Sequence, residues 1–408
     1  MEQQEPSNRR GKSICVPCQS EADYVRRVDD PQQFRQWLEQ LSAQHPELFP
    51  AAIRRGFTLH DSYRSVKQGL RLRRIKLKAT GEVYLVRPAT VLPYLAAQTK
   101  EVEKALYLRQ WGVPFAALAY VFGRNAMFYY RAWLHLGRPQ LVGTTVKQAA
   151  DLPLHLLADE KHTWLNGQRH YVATTVGAGC LLGAAVVAEA STEALRAGYG
   201  EFLTEARDLA PTYQPVTVCT DGWKATREAW QLLVPTITLL LCFLHSVLKI
   251  EERCRGVLRQ QVRRMAWHVY QARNKGEFGQ RVRRLREWAR GQLTGAVQEA
   301  VLKLCALKEQ FQRAYDFPAA ARTTNGIDRL MDYQDRVLYQ MRYFHGTRES
   351  ARLAARAMAL QWNFHPYSLR AQRKGTKHSP FESLNGFHYH DNWLHNLLTA
   401  ASMGGHRL

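Results

Sequence analysis

The sequence predicts an α/β fold: a mixed sheet interrupted by an all-helical insert and preceded by a helix-turn-helix region. Three patterns predict it. Over residues 150–242, strand-like apolar runs come first and then alternate with helical ones, the order of a mixed sheet flanked by helices. Over 249–316 the apolar period becomes helical and the charge strongly positive. Over 99–137, short helical segments surround a glycine-containing turn. At 408 residues the chain has room for more than one core. These patterns divide it into 1–90, 91–147, 148–248, 249–316 and 317–408.

In chain order, residues 1–60 read as polar and helical, with Pro31 opening a segment in which Phe34, Trp37 and Leu41 share a face. Two strands follow, from Gly69 to Lys78 and from Glu82 to Arg87. In the first, Arg71, Arg73, Arg74, Lys76 and Lys78 interleave with Leu70, Leu72, Ile75 and Leu77. That basic face either follows a phosphate backbone or is simply solvated. Helices are expected from Thr99 to Gly112, Phe115 to Val121 and Ala126 to Leu136, with Gly123-Arg124-Asn125 as the turn. The last of them offers Arg124, Asn125, Tyr129, Tyr130 and Arg131 for phosphate and base contacts, with Trp133 and Phe128 turned to the core.

The sheet region begins with a short apolar run, Leu154 to Ala158, that ends in Asp159-Glu160-Lys161. Strands from His170 to Val176 and Leu181 to Ala188 follow, then a helix from Thr192 to Leu209. A strand ending at Cys219 leads into Thr220-Asp221-Gly222-Trp223, and a helix from Lys224 to Leu233 precedes the strand Thr236 to Cys242. In 249–316, Val262, Met265, Val269, Phe278, Val282, Leu285 and Trp288 recur at helical spacing, which argues for a packed insert. Its cations, Arg263, Arg264, Arg283 and Arg284 among them, form a face that either tracks DNA phosphates or is solvated.

Charge narrows the partner class. Fifty-seven Lys and Arg stand against 35 Asp and Glu, a net +22, in a chain that is 46% hydrophobic. A folded chain so cationic implies a polyanionic partner, either nucleic acid or an acidic membrane surface, and the helix-turn-helix candidate makes double-stranded DNA the expected one. The longest strongly apolar run, Ile237 to Leu244, falls well short of a membrane span. No apolar segment follows the basic residues of the N-terminus, so no secretory signal is expected. Seven cysteines, few and odd in number, suit the cytoplasm better than a disulfide framework. Cys15 and Cys18 have the spacing of half a zinc site, but no second half follows nearby, and they read as a free, locally packed pair.

The acids carry the chemistry. Asp159 and Asp221 are expected where strands end, able to project from a rigid scaffold into one cleft. After the insert, a helix starting at Thr324 or Asn325 sets Asp328, Asp332 and Asp335 on one face. Like charges at that spacing are unfavourable, and in so basic a chain divalent cation binding gives them a reason. Two such ions would suit in-line phosphodiester displacement. Glu160 should point to the opposite face of its strand.

The order Asp159, then Thr220-Asp221-Gly222-Trp223, Cys242-Phe243-Leu244-His245 and Thr324-Asn325-Gly326-Ile327-Asp328, resembles the DDE-type transposases of insertion sequences. It is most similar to the bacterial Mutator-like group, where a C-x-x-H pair follows the second acid. Trp362-Asn363-Phe364-His365-Pro366 and Ser379-Pro380-Phe381-Glu382-Ser383-Leu384-Asn385-Gly386 add to the likeness. The resemblance spans roughly residues 150–400. It implies an RNase H-like core in which Asp159, Asp221 and Asp328 hold two Mg²⁺ ions, with Mn²⁺ able to substitute. It further implies cleavage of the ends of a mobile element and strand transfer to target DNA, by a homodimer or larger assembly at the nucleoid. The family usually has Glu at the third position; with Asp328 here, the helix sits closer or Asp332 or Glu349 supplies the ligand. Cys242 and His245 read as a structural or DNA-end-positioning pair, and Trp223 as a core aromatic or a stacking platform for an unpaired base. A DNA-binding derivative without activity, and a nuclease that never joins strands, are the alternatives.

Overall fold

The computed structural model describes residues 12–372, 375 and 377–406. The polar N-terminus up to residue 11, read above for a secretory signal, lies outside them. The N-terminal region is a four-stranded mixed sheet carrying two helices. The helix at Pro31 and the two strands expected after residue 68 are present, and two further strands join them, the first within the stretch expected to be helical. It comprises β1 (Ser13–Val16), α1 (Glu21–Asp29), α2 (Pro31–Gln44), β2 (Phe57–Ser65), β3 (Leu70–Leu77) and β4 (Val83–Pro88), in sheet order β1-β4-β3-β2. The sequence conceals β1 because Ile14, Cys15 and Val16 are all buried, which leaves no alternation to read. β2 is an edge strand with a register shift between Leu59 and Asp61, and its pattern is mostly polar. The three arginines of the expected basic face are engaged locally, whereas Lys76 and Lys78 are exposed. Arg71 pairs with Asp29, and Arg74 makes a two-pronged ion pair with Asp61. Arg73 is buried, donates to the Val28 carbonyl at 2.7 Å and lies over Phe34.

The next helices are α3 (Thr99–Arg109), α4 (Phe115–Phe122), α5 (Ala126–Leu136) and α6 (Leu141–Thr145). Asn125 caps α5, its side chain accepting from Phe128 N at 2.7 Å. α3 to α5 are part of the main core rather than an arm. Trp133, fully buried, donates its indole N–H to Gln361 Oε1 at 3.0 Å. Arg109 is also fully buried, donating to the carbonyls of Val113 and Val337 and lying over the rings of Phe115 and Trp133. Burial pulls its guanidinium down to about 10.

The second sheet contains β5 (His155–Leu165), β6 (Gln168–Gly177), β7 (Cys180–Val187), β8 (Thr217–Thr220) and β9 (Thr238–Leu241), with α7 (Thr192–Leu209) and α8 (Lys224–Leu233) as crossovers. The strand order is β7-β6-β5-β8-β9. β5, β6 and β7 are antiparallel, whereas β8 runs parallel to β5 and β9 parallel to β8. One face is covered by α7 and α8 through Tyr199, Phe202 and Trp230.

The insert follows as α9 (Phe243–Glu251), α10 (Gly256–Tyr270), α11 (Lys275–Gln292), α12 (Gly295–Ala306) and α13 (Lys308–Gln312), packed on a separate apolar core around Phe243, Phe278 and Phe311. The chain then returns to the sheet. α14 (Asn325–Gln340) lies on the face of β5 opposite α7 and α8, and α15 (Arg348–Phe364) covers β7 and α5. The last helices are α16 (Leu369–Gln372), α17 (Pro380–Asn385) and α18 (Trp393–Ala400). Asn363 closes this region by hydrogen bonding both backbone groups of Leu181 and the Thr145 hydroxyl. The C-terminus docks on the N-terminal sheet: Ser402 Oγ accepts from Cys15 N at 2.9 Å and donates to Leu48 O at 2.7 Å. Cys15 and Cys18 are buried in that sheet's surroundings. No helix among the described residues is long and apolar enough to cross a membrane.

Candidate metal centre

The two sheet acids are brought together by strand register. β5 and β8 pair Leu157 with Cys219 in parallel, so Asp159 and Asp221 come level two residues further on. Asp221 lies just past the end of β8, as expected. Asp159 does not end its strand: β5 runs on to Leu165 because β6 stays paired with it through Gln168. The short apolar run understated β5, whose later residues are polar on a half-covered surface. Strand alternation turns Asp159 and Lys161 toward α14 and Glu160 toward α7 and α8. There Glu160 is buried, accepting from the Tyr199 hydroxyl and from Thr226 Oγ1 at 2.5 Å, and burial pushes its carboxyl up to about 7.

The third contributor comes from the start of α14. Thr324 is the residue at its N-cap, yet its hydroxyl makes no capping bond. It faces inward instead, donating to Cys242 Sγ at 3.2 Å and lying 3.0 Å from His245 Nδ1. Thr324 N also donates to Cys242 Sγ at 3.2 Å, and His245 Nδ1 is 3.4 Å from the same sulfur. This knot ties the start of α14 to the start of α9 and carries Asp328, one turn along, over β5. Ligand atoms of Asp159, His245 and Asp328 then lie within 4.8 Å of one another. They are the one group among the described residues with a spacing that suits a metal ion.

Electrostatics matches that geometry. Burial, with the neighbouring Asp221 charge next, pushes Asp159 up to about 6, and the nearby His245 partly offsets this. Asp328 is also raised, chiefly by burial. His245 is raised to about 9, first by its hydrogen bond to Cys242 and then by the charges of Cys242, Asp159 and Asp328 against the opposing cost of burial. Burial favours the Cys242 thiol, but hydrogen bonds from His245 and Thr324 outweigh it and lower its pKa. Without a bound cation, the His245 imidazolium is therefore the counter-ion of the cluster.

Other expected residues are placed differently. Asp335 pairs with Lys161 and Glu349 with Arg352, while Asp332 is exposed a turn beyond Asp328. Trp223 is 38% exposed, not a core residue. Its ring lies 6.4 Å from His162 and from Tyr171, and its backbone N–H donates to Asp221 Oδ1 at 2.8 Å. Among the expected DNA contacts, Tyr129 is buried and unable to reach a ligand, its ring packed against Phe122 and Phe128. Asn125 is occupied as a cap, Arg124 pairs with Glu101 at 2.7 Å, and Tyr130 rests edge-on against Phe115. Arg131 is exposed. In the insert, Arg263 is held by Glu251, whereas Arg264, Arg283 and Arg284 are exposed. Thr324 was read only as a helix cap; a threonine preceding Asn-Gly carries no sign of its bond to Cys242. No family model matches this chain, and no curated protein matches it either.

Proposed function

We propose that the protein is a DDE-type DNA transposase, cleaving the ends of its element and joining them to target DNA. The observation that carries the reading is the convergence of Asp159, Asp328 and His245 within 4.8 Å, with Asp221 bordering them, in a chain of net charge +22. The strand order β7-β6-β5-β8-β9, with three antiparallel strands followed by two parallel crossovers, supports an RNase H-like core. α4, the Gly123 turn and α5 support a helix-turn-helix that meets DNA through Arg131.

The donors fit Mg²⁺ or Mn²⁺: hard carboxylate oxygens predominate, and a cation would offset both the burial and the Asp221 charge that raise Asp159. Asp159, Asp221 and Asp328 would hold the ions, two in the DDE scheme, with His245 beside them. A bound divalent ion supplies Lewis-acid chemistry, activating water or a 3′-hydroxyl and stabilising a leaving oxygen. The chain's own part is placement. The parallel register of β5 and β8 sets two acids side by side, and the Cys242–His245–Thr324 knot fixes the third. The knot also holds an imidazolium that neutralises the acids until a cation arrives. DNA-end pairing by a homodimer or larger assembly in the nucleoid is part of the same proposal.

The test is cleavage of labelled DNA carrying the gene's own flanking sequences, with Mg²⁺ or Mn²⁺. Wild type is expected to nick at one discrete position, and Asp221→Ala and Asp328→Ala to abolish nicking. Binding without cutting in wild type would favour the inactive derivative. Cutting that survives Asp328→Ala would move the third ligand elsewhere, and hydrolysis without strand joining would identify a nuclease.

A further inference from the structure

Arg263 is held by Glu251, but the insert has another cationic surface. Between α11 and α13 is an open cleft of about 410 Å³ walled by Lys275, Arg283, Arg286 and Lys308, with no acid among its described lining residues. Lys275 is paired with Asp316 at 2.6 Å just outside it. Arg286 Nη2 donates to the neutral Cys305 carbonyl at 3.3 Å, so its charge is not compensated. Neither Arg283 nor Lys308 has an ion-pair partner among the described residues. On α11, Gly276 and Gly279 present bare backbone to the cleft, and a side chain at either would meet nothing closer than 3.4 Å. The insert can therefore be approached closely at the place where three uncompensated cations converge.

Like charges gathered around a concave wall raise the local potential and reward an anion that enters. Guanidinium groups match phosphate oxygens in shape as well as charge, and a lysine adds a point charge. We propose that this cleft binds a phosphate group, and that its occupant is a backbone phosphate of duplex DNA, which makes α11 and α13 the face by which the insert holds DNA. The choice of DNA rests on the proposed function; the phosphate chemistry does not.

The test uses the full chain with a mixed-sequence 30-base-pair duplex, titrated at several salt concentrations, and inorganic pyrophosphate followed by thermal shift. The double variant Arg283→Gln/Lys308→Gln is expected to weaken duplex binding by about tenfold or more. Its log–log salt slope should fall by roughly one to two, since each phosphate contact contributes about 0.9. Arg74→Gln is the control and should stay within about twofold of wild type, its guanidinium being already engaged in a two-pronged ion pair with Asp61. Equal affinity and slope in the double variant and wild type would overturn the proposal. Pyrophosphate stabilising the wild type but not the double variant, with duplex binding unchanged, would overturn the DNA assignment and leave a free phosphoanion as the occupant. Duplex held through the cleft by a protein that never nicks its own flanking sequences with Mg²⁺ or Mn²⁺ would sink the proposed function and leave this inference standing.

Discussion

Asp159→Asn is expected to reduce metal-dependent DNA cleavage by about 10³-fold or more, while making the cation-free protein more stable than wild type at pH 8. The loss follows from removing one ligand of a Lewis-acid site, whose charge stabilisation amounts to several kcal/mol at about 1.4 kcal/mol per tenfold. The gain follows from the same carboxylate without a cation. Folding raises its pKa from 3.8 to about 6, so the native state favours the protonated form. A raised value means stability that is fully present below pH 3.8 and is lost as pH rises through 6. By pH 8 the deficit is on the order of 1–3 kcal/mol. Asparagine keeps the oxygen that accepts from Glu160 N and carries no charge to bury. Denaturation midpoints should therefore diverge between pH 4 and 6, with the variant higher and the gap constant above that. Adding Mn²⁺ should reverse the order, since a ligand at a hundred times its dissociation constant stabilises wild type by about 2.7 kcal/mol. A variant that is less stable than wild type at pH 8 without metal would show that Asp159 is not an electrostatically costly ligand.

That opposition between activity and stability marks what the residues alone could disclose. The helices of the second sheet fall where capping and periodicity put them: α7 starts after Ser191, whose side chain caps Ala194 N, and α8 spans Lys224–Leu233. These are local properties, written in consecutive residues. The pairing of Asp159 with Asp221 follows once β5 and β8 are taken as parallel neighbours. The arrival of Asp328 is different, because a whole helical insert with its own core separates it from β8, and no period links the two. Motif order suggested it; the Thr324–Cys242–His245 contacts accomplish it. In the N-terminal sheet β3 and β4 are legible, whereas β1 and β2 are hidden for a physical reason, since a fully buried strand has no alternation and a solvated edge strand has no apolar signal. The aromatic triplet Phe128-Tyr129-Tyr130 shows the same limit on α5. Phe128 is expected inside and the two tyrosines outside, yet Tyr129 is covered, against Phe122, while Phe128 is half-buried and Arg131 is exposed.

Gly137→Ala is expected to cost more than about 3 kcal/mol, because α5 and α15 approach at that residue with no space for a methyl group. A Cβ there would fall 2.0 Å from Leu353 O and 2.9 Å from Ala357 N, both backbone atoms that cannot swing aside. Its φ of −82° suits alanine as well as glycine, so the whole penalty is steric. Relief requires the helices to part, which strains the clamp made by Arg356. That buried guanidinium donates to Gly137 O at 3.2 Å, to Pro139 O at 2.8 Å and to Glu205 Oε1 at 2.7 Å. Leaving such a charge without partners is itself worth several kcal/mol. Gly291→Ala, in α11 with nothing within 4 Å, is the matched control and should stabilise by up to about 1 kcal/mol. Urea midpoints of the two variants test this directly. The result bears on function, because α3 to α5 share a core with the sheet that carries Asp159. Under the proposed function, DNA bound at Arg131 would be held at a fixed position relative to the acids, and the close approach at Gly137 keeps α5 seated on α15. Wild-type stability in Gly137→Ala would mean that α5 can lift from α15, and the three helices would have to act as a separable arm.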